Sequence, residues 1–197
     1  GCAFCENART TTRWHGVDLV AQEIEDIMTL GYKGFFIPDD LFAINLKTVK
    51  PYLDVIKKSG LIFRCNGHAK FMTDDFAAAL KDAGCYELSF GAESGSQKIL
   101  DNIGKGTTVE ENWEFIEIAK RHGIRVKAYM MLGLPGEDRG TVTETENFIK
   151  RSMEVDGMTD FQLSIFYPYK GTAIREQMDN GGKIDLMFLG EGLGAHT

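Results

Sequence analysis

The chain has 197 residues, 43% hydrophobic and 26% charged, enough for one sizeable core in an ordinary globular balance. Its formal net charge of -7 argues against bulk nucleic-acid binding, which draws on Lys and Arg to neutralise phosphates. No apolar run approaches the roughly 20 residues that cross a bilayer, and the first residues lack the charged-then-apolar pattern typical of a secretion signal; with four cysteines that do not look like a disulfide framework, the expectation is a cytoplasmic protein.

Read in chain order, apolar runs alternate with amphipathic helices. The sequence opens on Gly1-Cys2-Ala3-Phe4-Cys5. A helix is predicted over Val17 to Leu30, with Val20, Ile24, Ile27 and Met28 on one face, a cap near Asp18 and a stop at Gly31. Gly34 to Ile37 reads as a buried strand, followed by a loop from Pro38 to about Asn45. The next helix covers about Leu46 to Lys58, with Pro51 pointing to an irregular first turn or a later start. Leu61 to Cys65 is a strand and Asp74 to Ala83 a helix, capped by Thr73 and closed by Gly84. Tyr86 to Gly91 is a strand. Thr108 and Glu111 make a capping box for a helix ending at His122. Ile124 to Leu132 is a strand, about Thr141 to Met153 a helix, Phe161 to Phe166 a strand, and Thr172 to Met178 a short helix. Residues 181–197 read as an irregular tail behind a single domain over 1–180.

Repeated strand-then-helix units predict an α/β fold with a parallel sheet and helices outside. Pattern alone allows an open sheet or a closed barrel. In either, functional groups gather where strands end, and these ends are polar: Asp39 and Asp40, then Asn66 and His68, then Glu93 and Ser94, then Gly133 and Glu137. Cys65 and Cys85 lie in apolar strand surroundings and read as buried small hydrophobes. A bare C-x-x-C serves zinc, redox and iron-sulfur sites alike.

Phe4 directly before Cys5, Phe36-Ile-Pro-Asp-Asp40, Gly91-Ala-Glu-Ser-Gly-Ser96 and Leu132-Gly-Leu-Pro-Gly-Glu-Asp138, in that order, sharpen the reading. With them the chain resembles the radical S-adenosylmethionine (SAM) superfamily, in the branch often fused to a cobalamin-binding domain. The resemblance implies a partial TIM-like barrel, the family's six-stranded barrel with its first strand absent here. It also implies a 4Fe-4S cluster held by C-x-x-x-C-x-x-C, of which Cys2 and Cys5 would be the second and third ligands. The first would precede Gly1, so the expectation is a piece of a longer protein that does not assemble the cluster alone.

On the same resemblance, SAM chelates the open iron and is cleaved reductively to a 5'-deoxyadenosyl radical. Phe4 would lie at adenine, Asp39 or Asp40 would meet the methionine ammonium, and Glu93 and Ser94 would meet the ribose. Asn66 would contact SAM or substrate, and Gly133 and Glu137 would border adenine. Packing for Phe4, turn formation for the Asp pair, a plain turn at residues 91–96 and a helix start at Glu137 stay open beside these roles. Cobalamin would sit on an upstream domain, a flavodoxin or ferredoxin would supply electrons, and the substrate would be a small molecule or peptide. Two competitors remain: a non-catalytic barrel or metal-binding module using Cys2 and Cys5, and a methylthiotransferase.

Overall fold

The computed structural model describes residues 1–9, 11, 13–155 and 159–186. Five parallel strands, β1 (Gly34–Phe36), β2 (Ile62–Gly67), β3 (Cys85–Glu93), β4 (Arg125–Leu132) and β5 (Thr159–Ile165), form one sheet in the order β1-β2-β3-β4-β5. Helices α1 (Val17–Thr29), α2 (Leu46–Ser59), α3 (Asp74–Asp82), α4 (Gln97–Asn102), α5 (Val109–Arg121), α6 (Arg139–Val155) and α7 (Ala173–Asp179) connect and follow the strands. Consecutive neighbours joined by helical crossovers make a curled half-barrel of α/β class, as the sequence predicts.

The two faces of the sheet differ chemically. Phe63, Cys65, Leu88, Phe90, Ala92, Val126, Ala128 and Met130 are buried in the main core with residues of the helices, and Phe90 stacks on Phe115 of α5 at 4.2 Å. The alternate residues line the concave face: Phe36, Arg64 and Asn66, then Glu87 and Ser89, then Lys127 and Tyr129, then Asp160 and Gln162. Cys65 and Cys85 are buried in the core as expected, and the interaction with the Cys85 thiol, together with burial, holds the Cys65 thiol well above its usual range.

Local signals explain most boundaries. Asn45 accepts from the Thr48 N–H and starts α2 at Leu46, so Pro51 falls inside the helix rather than delaying it. Proline there leaves the exposed Lys47 carbonyl without its helical donor, which water can replace. The capping box of Thr108 and Glu111 forms on α5 as read. α1 departs in two details: Gly16 rather than Asp18 is the N-cap, and Met28, 46% exposed, lies off the buried stripe. α4 has no counterpart in the pattern reading, because six residues are too few to establish a helical period. Of the predicted tail, residues 181–186 carry neither helix nor strand, and the rest lies outside the described residues.

Candidate functional site

The cysteine segment is docked rather than loose. Ala3 N–H donates to the Ile103 carbonyl at the end of α4 (2.8 Å), and Ala3 carbonyl accepts from Ile174 N–H at the start of α7 (3.1 Å). Cys5 N–H donates to the Cys2 carbonyl at 3.1 Å, so one tight turn carries both thiols, each half-buried and free of a disulfide. Ala3 and Phe4 pack on a second apolar cluster of Ile99, Leu100, Ile103, Leu134, Phe166 and Ile174.

At the adjoining strand end the backbone is strained. Glu93 adopts φ +64, left-handed and uncommon for a residue with a Cβ. Ser94 N–H donates to the Ala92 carbonyl at 2.8 Å across it, closing a γ-turn of the rare sense. The β3–β4 register shifts between Gly91 and Glu93, and Asn112 of α5 donates to the same Ala92 carbonyl at 3.0 Å. Strain of about 1–3 kcal/mol persists only where surrounding contacts impose it.

The turn aims Glu93 back over its own strand. Its Oε1 pairs with Lys105 Nζ at 2.9 Å, with side chains only 9% and 8% exposed. A Cβ on Gly91 would stand 2.0 Å from Glu93 Oε1 and 2.9 Å from Lys105 Nζ, so glycine leaves the space in which the pair sits. The pair is electrostatically coupled to the cysteine turn: burial raises the Cys2 thiol, Lys105 pulls it down, and Glu93 and Cys5 push it up. His68, at the exit of β2, is driven down to about 4 by burial and by Lys105.

The other sequence-predicted residues divide. Asn66 donates to the Asp39 carbonyl at 2.7 Å, and Asp40 accepts from Asn7 just after the cysteines, so the exits of β1 and β2 join the cysteine segment. Glu137, 4% exposed, takes the Gly133 N–H on Oε2, while Oε1 is buried without a hydrogen-bond partner among the described residues. Burial raises that carboxyl. Ser94 is turned outward: its hydroxyl meets Thr145 of α6 at 3.0 Å and accepts from Ser96 N–H. Gly95 serves the same seam, since a Cβ there would stand 2.6 Å from Phe148 Cβ.

Lys105 escapes sequence reading, because a lysine between two glycines resembles a solvated turn. The run Ile99, Leu100 and Ile103 before it signals that this segment packs on a core, but not where Lys105 points. Among the described residues no group of three or more His, Cys, Asp and Glu could hold a metal ion. The two thiols are soft donors suited to adjacent positions of an iron-sulfur ligand set.

The class defined by these observations is an α/β half-barrel of parallel strands with a cysteine turn and polar groups gathered at its strand ends. The radical SAM superfamily model matches residues 1–149, and the chain belongs to that family. It is 32% identical to an uncharacterized methyltransferase of Pyrococcus horikoshii over 89% of this chain and 39% of the relative. It is 26% identical to the bacteriochlorophyllide d C-12(1)-methyltransferase of Chlorobaculum tepidum over 90% of this chain and 40% of that protein. The chain therefore spans about two fifths of the length of these curated relatives. The radical SAM methyltransferase TsrM of Kitasatospora setae, solved with cobalamin and a [4Fe-4S] cluster, superposes with a TM-score of 0.71 at 19% identity, covering 90% of this chain and 37% of that one. The cobalamin-dependent radical enzyme OxsB superposes at 0.73 and 15% identity, covering 92% of this chain and 34% of that one. Those likenesses establish the fold.

Two predictions follow from the pair and its neighbour. Lys105→Met strands the Glu93 carboxylate in a buried site and is expected to cost about 3–5 kcal/mol in urea unfolding. Adding Glu93→Gln should restore much of that loss; a double variant no better than the single would contradict a buried, mutually dependent pair. His68 has a folded pKa depressed to about 4 from 6.5, so its contribution to stability is complete above pH 6.5 and falls away as pH drops toward 4. An NMR titration of the His68 ring should give a midpoint well under 6.5, and an ordinary midpoint refutes the burial and charge argument.

Proposed function

We propose that this chain is the cluster- and SAM-binding core of a radical SAM enzyme, acting in cobalamin-dependent methylation or a related rearrangement. The observation that carries the reading is that the end of α4 holds both parts of the site: the Ile103 carbonyl receives the cysteine turn through the Ala3 N–H, and Lys105, two residues on, pairs with the buried Glu93. Family membership and the methyltransferase names of the relatives support the reaction class.

Cys2 and Cys5 would supply two thiolates to a 4Fe-4S cluster, and Lys105 favours the Cys2 thiolate against the cost of its burial. When bound, the cluster and SAM supply the electron and the sulfonium whose reductive cleavage gives the 5'-deoxyadenosyl radical. The protein's part is to bind, orient and shield. Glu93, held by its strained turn, can accept from ribose hydroxyls, and Lys105 can receive a carboxylate. Asp39 and Asp40 offer oxygens to an ammonium group. Glu137 Oε1 has acceptor capacity unused in the fold, and Gly133 fixes its other oxygen. Phe4 builds the apolar wall on which the cysteine turn rests. Electrons would come from a flavodoxin- or ferredoxin-type donor, and cobalamin from a domain beyond this core.

The natural full-length protein, loaded with iron and sulfide without oxygen and reduced, should convert SAM to 5'-deoxyadenosine, measured by liquid chromatography and mass spectrometry. Cys2→Ala or Cys5→Ala should abolish product, and Glu93→Gln should lower its rate by about 10-fold or more, the order of losing one charged hydrogen bond. A cluster-loaded wild-type protein that leaves SAM intact would overturn the reading.

A further inference from the structure

The concave face differs in charge from the molecule around it. In a chain of net charge -7, its strands present Arg64, Arg125 and Lys127 against Glu87 and Asp160. Two of these cations are engaged: Arg64 meets Glu87 at 3.5 Å and leans over Phe36, and Arg125 meets Asp160 at 3.0 Å. At the mouth, Lys105 and Glu93 neutralise each other.

Lys127 is different. Asp160 is its register neighbour on β5, yet Asp160 is drawn toward Arg125 at the lower end of the strands. Among the described residues no carboxylate lies within ion-pair distance of Lys127. Its ammonium instead lies 5.7 Å from the ring centre of Tyr129, two residues nearer the mouth. Tyr129 is opposite Gly91, the position whose missing side chain makes room for the Glu93–Lys105 pair. Two residues along a strand is about 7 Å, so Lys127 stands one layer beneath the functional pair and reaches upward. Ser89 on β3 shares its layer and Gln162 on β5 shares that of Tyr129. A half-buried cation beside a partly exposed aromatic ring, with no counter-charge at ion-pair distance among the described residues, is suited to a ligand anion attached to an apolar or aromatic body.

We propose that Lys127 and Tyr129 form the anchoring subsite for an anionic substrate, one whose carboxylate or phosphate lies in the layer below Glu93 and whose reacting portion extends toward the mouth. The inference rests on the reading of the concave face as the chamber that serves the proposed site. Lys127 is a specificity-determining residue: it holds the substrate's anionic group and leaves Glu93 and the cysteine turn to the cofactor.

Binding can be measured without cluster or SAM, which separates this claim from the activity. The natural full-length protein, free of iron, is titrated with phenylacetate, phenyl phosphate and neutral phenylacetamide by ligand-observed NMR, with folding checked by circular dichroism. Saturable millimolar binding of at least one anion is expected, with the amide at least 10-fold weaker. Lys127→Gln should weaken the anion by 10-fold or more, and Lys127→Arg should retain most of it. Preference between the two anions assigns carboxylate or phosphate. No saturable anion binding to folded protein, equal binding of the amide, or unchanged affinity in Lys127→Gln overturns the proposal. Loss of SAM cleavage with anion binding intact refutes the functional reading alone.

Discussion

A carboxylate and an ammonium buried side by side impose demands on every element around them. Withdrawing either charge from water costs several kcal/mol, so Glu93 and Lys105 must meet in good geometry. The chain achieves this with a γ-turn that forces Glu93 into the left-handed region, a glycine beneath it with no Cβ to collide, and a short helix that delivers Lys105. The same helix end receives the cysteine turn through the Ile103 carbonyl. Thus the pair and the thiols share one support, and movement of α4 would disturb both.

The half-barrel supplies the rigidity this arrangement requires. Its outer face is a continuous apolar core, and its concave face is free for polar chemistry. The loop after Glu93 is pinned to α6 by Ser94, Gly95 and Thr145, which prevents the strained turn from relaxing outward. Strain at one residue is offset by ordinary packing and hydrogen bonds at its neighbours.

Much of the fold was legible because apolar periods and caps act locally. Thr73, Thr108 and Thr172 cap helices near their expected starts, and the strand runs lie within a few residues of their observed limits. Strand β3 runs two residues beyond its apolar pattern because a bulge carries it through Ala92 to Glu93. The candidate site was legible as a set of positions, Glu93 and Glu137 by motifs at strand ends and Cys2 and Cys5 by their spacing, while their roles toward a cofactor are part of the proposal. It was not legible where residues meet through tertiary packing: Lys105 is 12 positions beyond Glu93, and nothing local announces their ion pair. Ser94 shows the reverse case, since its place in a glycine-serine motif suggests a ligand contact while its hydroxyl serves the seam with α6.

The central claim is that the cysteine turn and the Glu93–Lys105 pair belong to one SAM-binding site built around an iron-sulfur cluster. Electron paramagnetic resonance of the full-length protein, loaded with iron and sulfide without oxygen and then reduced, tests it with and without SAM. The account predicts a reduced-cluster signal that changes when SAM is added. Failure to form a cluster, or a signal indifferent to SAM, would contradict it.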